Sequence, residues 1–131
     1  MNDPIALSDL QLAIMRCLWQ HGEATSAQVH RDLEPERGLA PTTVATMLRR
    51  MEARGVIDHR TAGRQFIYRA IVSEGDVRRT MVGELTGRLF RGDPAALVNH
   101  ILTEGEIDAR ELARLRALID ERAETLEEGE R

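Results

Sequence analysis

The spacing of apolar residues changes along this chain, and the changes mark out its elements. Leu10, Ala13, Ile14, Cys17 and Leu18 recur at intervals of three and four, the period of an amphipathic helix. Ser8 and Gln11 form a capping-box pattern at its start, Leu7 and Leu12 suit a hydrophobic staple across the cap, and Gly22 closes it. Trp19 lies beside the stripe, placed to cover the edge of a core. Glu23-Ala24-Thr25 is short and suits a small strand paired with a later hairpin. Thr25 and Gln28 repeat the capping-box pattern, which predicts a second helix over about 26–33, with Val29 and Leu33 inward and Pro35 ending it. A loop leads to Pro41, a residue suited to the first turn of a helix. Val44, Met47, Leu48 and Met51 then form the apolar stripe of a third helix, and Gly55 ends it as a residue just past the C-cap does. Next the period drops to two. Residues 56–60 and 65–70 read as strands joined by a turn containing Gly63, with Val56, Phe66 and Tyr68 as candidates for the inward face. Residues 1–6 read as a loose lead-in.

Past Ser73 the strand signals stop. Ser73 with Asp76 resembles another helix cap. Val77, Met81, Leu85 and Leu89 recur every four residues up to Phe90, where Gly92-Asp93-Pro94 breaks the helix. Residues 95–102 form a short, very apolar helix carrying Leu97, Val98, Ile101 and Leu102. An acidic loop follows over 103–108. The last helix spans about 110–126, with Leu112, Leu115, Leu118 and Ile119 on one side, and 127–131 read as a frayed end. Three short helices this apolar cannot bury their faces alone. They either pair with a second copy in a two-fold interface or fold back on the first part of the chain; pairing is the economical solution. The fold class is therefore α+β, mostly α: an N-terminal winged helix-turn-helix over 1–72, then a three-helix dimerisation segment over 73–131.

Composition narrows the function. At 131 residues the chain is one domain or a small domain with an appendage. Aromatic residues are only 3% of it, too few for the stacking platforms that bind single-stranded nucleic acid. No apolar run approaches the roughly 18 residues of a membrane span, and no leader-like segment precedes the first helix. A soluble cytoplasmic protein is expected. Cys17 is the single cysteine, so no intramolecular disulfide can form, and its place on an apolar stripe points to packing. His21, His30, His59 and His100 are scattered with no recognised ligand spacing, and no nucleophile–base set is apparent. Neither a metal, a cofactor nor an enzymatic activity is expected, and the histidines read as surface residues.

Charge placement points to DNA. The net charge is −4, but residues 42–69 hold six Arg against two acids, whereas residues 73–131 carry nine Arg against fourteen acids. All 18 basic side chains are Arg, which a genome rich in G and C explains better than function does. The polar face of the third helix presents Thr43, Thr46 and Arg50, flanked by Thr42 and Arg49. Such a helix fits the major groove of double-stranded DNA, where Thr methyls suit thymine and Arg suits guanine. Arg60 and Arg64 in the wing, and Ser26 and Gln28 at the start of the second helix, are candidate phosphate contacts. Simple capping explains Ser26 and Gln28 equally well. A different class of function stays open: a winged helix that contacts an acidic protein partner and has no sequence preference on DNA.

The same residues resemble the penicillinase-repressor family of winged-helix regulators (BlaI/MecI/CopY type), over nearly the whole chain. LSDLQLAIMRCLWQHGEATSAQV looks like the family's opening helix and link, TTVATMLRRMEARGVI like its recognition helix, GRQFIYR like its wing, and LFRGDPAALVNHIL like its dimerisation segment. The resemblance implies a homodimeric repressor on a two-fold symmetric operator. It also implies release by proteolysis after a membrane sensor is triggered, or by copper. Two departures bear on release. The cysteine-pair motif of copper-responsive members is missing. At the Asn-Phe bond cut in β-lactam-responsive members, this chain aligns His100 and Ile101, with Asn99 one place off.

Overall fold

The computed structural model describes residues 6–130; the lead-in expected over 1–6 lies outside them except for Ala6, and Arg131 lies outside them at the other end. The elements run α1 (Asp9–His21), β1 (Ala24–Thr25), α2 (Ser26–Arg37), α3 (Pro41–Ala53), β2 (Ile57–Ala62), β3 (Gln65–Ala70), α4 (Glu74–Phe90), α5 (Pro94–Glu104) and α6 (Ala109–Glu130). The three strands form one antiparallel sheet in the order β1-β3-β2. Two compact units result, one ending at Leu85 and one beginning at Thr86. Among the described residues, no helix is long and apolar enough to cross a membrane.

Both capping boxes form. Ser8 and Gln11 exchange side-chain and backbone hydrogen bonds at the start of α1, and Thr25 and Gln28 do the same at the start of α2. Gly22 ends α1 at φ 82°. Pro35 does not end α2. It occupies the last turn, where few intrahelical bonds remain to be lost, and Gly38 closes the helix in the left-handed conformation three residues later. Pro41 opens α3 as expected. At its end the amide of Gly55 donates to the Glu52 carbonyl and that of Val56 to the Met51 carbonyl, the paired bonds of a Schellman motif.

The core of the first unit is built from all its elements. Ile14, Met15 and Leu18 of α1, Val29 of α2, Val44, Leu48 and Met51 of α3, and Val56 and Ile57 are almost wholly buried. Each such side chain contributes about 1.5–3 kcal/mol relative to exposure. Met15 lies outside the expected stripe and is buried because α1 is covered on two sides, by α2 and by β3. Trp19 covers the core edge, donating from Nε1 to the Val72 carbonyl at 3.0 Å. Tyr68 packs inward as expected, but Phe66, two residues farther out on the same face of β3, is 47% exposed: the hairpin extends past the core there. Val77, expected on the dimerisation face, is 2% exposed and belongs to this core, with Met81 packed against it.

From Arg78 to Glu130 no described residue is buried. The break after α4 is where the sequence placed it, with Arg91 and Gly92 at φ 51° and 79° and the Asp93 carboxylate capping α5. The helices are longer than expected. α5 runs from Pro94 to Glu104, which shortens the acidic loop, and α6 starts at Ala109, its first turn held by Asp108. The expected frayed end is helical through Glu130: Glu127, Glu128 and Glu130 are good helix formers that continue the helix preceding them, and the single Gly129 between them does not break it.

Candidate nucleic-acid interface

The apolar stripe of α3 faces the core, so its other side is left to solvent. Thr42, Thr43, Arg49 and Arg50 are exposed there and Thr46 is half-buried. These five positions span an arc of about 120° on a helix of 3.6 residues per turn. The Arg49 Nη2 donates to Thr46 Oγ1 at 3.3 Å, which steers that guanidinium along the helix surface.

The six Arg of residues 42–69 divide into two sets. Arg54 donates from Nη1 to Gln11 Oε1 at 3.1 Å and from Nη2 to the Ala6 carbonyl at 2.6 Å, tying the end of α3 to the start of α1. Arg69 grips Asp58 with both arms, at 2.7 and 3.1 Å, and this guanidinium holds the Asp58 carboxyl below its ordinary pKa. Arg60 pairs with Glu23 at 2.8 Å. The register places Asp58 opposite Arg69 and Arg60 opposite Ile67, one residue out of phase with the inward His59–Tyr68 pair. Successive side chains alternate between faces, so Arg60 and Arg69 lie on the outer face of the sheet, away from α3. Arg60 is therefore not brought together with the other candidate contacts. Among the described residues, no ion pair engages Arg49, Arg50 or Arg64.

Arg64 follows Gly63 at the tip of the hairpin, where φ of 62° at Gly63 makes the turn. A shallow hollow joins this tip to the start of α2, lined by Thr25, Ser26, Ala27, Arg64, Gln65 and Phe66, with Tyr68 behind. Ser26 thus stands beside Arg64. The Gln28 Oε1 is engaged in capping, accepting from the Thr25 amide at 2.7 Å.

His59 links the hairpin to α3. Its Nδ1 lies 2.5 Å from Glu52 Oε1, and its ring stacks on Phe66 with centroids 3.9 Å apart. Burial and the Glu52 charge raise the Tyr68 pKa. His59 and His30 are thus half-buried working residues and not plain surface groups; the His30 Nε2 lies 2.8 Å from the Leu39 carbonyl, across the turn between α2 and α3. Their neighbours come from other elements, which sequence spacing does not reveal.

Elsewhere, Cys17, His21 and Asp32 come together. The Cys17 thiol donates to Asp32 Oδ2 at 3.1 Å, and His21 Nε2 lies 2.7 Å from the same oxygen. Burial first, then the Asp32 carboxylate, pushes the thiol up to about 12, and the thiol's hydrogen bond holds Asp32 below its usual range. The four-residue step from Cys17 to His21 was present in the sequence; only the packing of α2 on α1 adds Asp32.

A family model described as "Penicillinase repressor" matches residues 7–121. The chain is 25% identical over 115 residues to the penicillinase repressor of Bacillus licheniformis, covering 88% of this chain and 90% of that one. It is 20% identical over 121 residues to the methicillin resistance regulatory protein MecI of Mammaliicoccus sciuri, covering 92% and 98%. The solution structure of Bacillus licheniformis BlaI, in monomeric form in complex with the blaP half-operator, aligns with a TM-score of 0.50 at 30% identity, covering 58% of this chain and 93% of that chain.

Proposed function

The chain belongs to the penicillinase repressor family and is a DNA-binding transcriptional repressor; from that premise we propose that it acts as a homodimer on a two-fold symmetric operator. The carrying observation is the exposed arc of α3 that holds Arg50, together with a wing tip whose Arg64 adjoins the start of α2. Thr42, Thr43, Thr46, Arg49 and Arg50 read base edges in one major groove. Arg64 and the first amides of α2, at Ser26, hold the backbone on either side of the hollow between them. Repression follows from occupancy: a bound dimer excludes the transcription machinery. The BlaI half-operator complex supports this docking, since that protein shares the winged-helix part of the chain.

Dimerisation is the role proposed for the second unit and the end of α4, through Leu85, Leu89, Phe90, Leu97, Val98, Ile101, Leu102, Leu112, Leu115 and Ile119. Two linked half-sites bind far more tightly than one, so this pairing supplies much of the operator affinity. Release by a protease that a membrane sensor switches on is the regulation the family suggests. The aligned bond, His100 to Ile101, lies in the middle of α5, so a protease must first unwind that helix.

Fluorescence anisotropy of the protein on DNA from upstream of its own gene, against scrambled DNA at several salt concentrations, tests the reading. Tight binding that falls steeply with salt, with at least about a 10³-fold preference for one fragment within that region, is the expected result. Equal weak binding to every fragment, persisting through selection from random sequence, would assign the winged helix to a protein partner instead.

A further inference from the structure

We propose that Cys17, His21 and Asp32 form a binding site for a zinc-like divalent cation that staples α1 to α2. Cys17 and His21 lie four residues apart on one face of the last turns of α1, and Asp32 faces them from α2. Their donor atoms, Sγ, Nε2 and a carboxylate oxygen, all lie within 4.8 Å of one another. A tetrahedral zinc with bonds of about 2.0–2.3 Å keeps its ligands roughly 3.3–3.8 Å apart. Admitting the ion therefore takes side-chain shifts of about 1 Å or less. A thiolate, an imidazole and a carboxylate together suit zinc, with water in the fourth position; magnesium and calcium want oxygen donors throughout.

Cys17 is closed off from solvent, whereas His21 and Asp32 are exposed, so the ion enters from their side. Arg16, Arg31 and Arg37 line the same shallow hollow and oppose a cation; Glu36, also there, offsets them in part. On binding, the Cys17 S–H bond breaks and its proton leaves to solvent, as does one imidazole proton where His21 is charged. Asp32 exchanges its two hydrogen bonds for a metal–oxygen bond, with no change of oxidation state. Because α2 is the first helix of the helix-turn-helix, a cation here fixes the element on which α3 rests.

The test uses the full chain, stripped with a chelator and titrated with Co²⁺ as a spectral probe, then with Zn²⁺. The expected result is one Co²⁺ per chain with a thiolate-to-cobalt absorption band, bleached by Zn²⁺ and accompanied by proton release. Cys17→Ser loses the band. His21→Gln and Asp32→Asn bind at least about tenfold more weakly, since even an outer-shell partner is worth that much. The thermal midpoint of the parent rises with Zn²⁺ and that of Cys17→Ser does not. His21→Gln alters an exposed side chain and keeps the test sound if Cys17→Ser folds poorly. A folded parent with no band, or equal affinity in the parent and His21→Gln, would overturn the site and leave the three groups as hydrogen-bonded packing.

Discussion

Arg50, Arg60 and Arg64 carry the same charge within fifteen residues of chain, yet they stand in different surroundings. Arg50 lies on the open arc of α3, Arg64 at the wing tip, and Arg60 on the outer face of the sheet against Glu23. Arg50→Ala is expected to weaken operator binding by about 1–3 kcal/mol and to relax base preference, with little effect on random DNA. Arg64→Ala should weaken binding to any sequence and lower the salt slope by about one. Arg60→Ala should leave both nearly unchanged. Anisotropy on operator and random duplexes at several salt concentrations separates the three; equal losses for Arg50→Ala on both DNAs would take base reading away from Arg50. Cys17 gives a prediction of another kind. Its folded pKa is raised to about 12 from an ordinary 9.0, so the protonated thiol favours the folded state. That contribution is whole below pH 9 and fades as pH rises toward 12. Urea melts of the metal-free protein across this window should show the parent losing stability more steeply than Cys17→Ser.

At the scale of elements, the ends of helices decide more than their middles. The Schellman motif at Gly55 turns the chain from α3 directly into β2, and so sets where the wing lies relative to α3. Gly55 sits at φ 82°, which an L side chain adopts at a cost. Gly55→Ala is expected to cost about 1 kcal/mol or more in denaturant melts, because the left-handed conformation is strained for alanine. Thr25→Ala removes the side-chain half of the α2 capping box and should cost about 1 kcal/mol. It should also weaken DNA binding, since the start of α2 borders the hollow beside Arg64. These ends were legible because caps are local: Ser8, Thr25, Pro41 and Gly55 act within four residues. Pro35 was misread because its effect depends on how much helix follows, and Phe66 because alternation identifies a face but not how far the core extends beneath it.

At the scale of the molecule, the two units differ in self-sufficiency. The first buries its apolar stripes in its own core, whereas the second, Thr86–Arg131, has no buried residue among those described. Leu89 is 69% exposed and Ile119 60%. Exposed side chains of this size over three helices support the proposed dimerisation. The double change Leu89→Asp and Ile119→Asp is expected to give a monomer in sedimentation velocity that keeps its winged-helix fold and loses at least about 100-fold in operator affinity through lost avidity. A variant that stays dimeric would move the interface elsewhere.

Periodicity and local capping determined the order of the elements, the three buried stripes of the winged helix and the polar arc of α3 left to solvent, because each depends on residues within a few positions of one another. Tertiary structure alone decided that Arg60 faces away from that arc, that Val77 belongs to the first core, that His59 joins the wing to α3, and that Asp32 meets Cys17 and His21. Each of these depends on strand register or on one helix packing against another, and the chain distances involved run from 7 residues for His59 and Glu52 to 37 for Arg60 and Glu23. Over such spans the local pattern carries no record of which side chain will stand opposite.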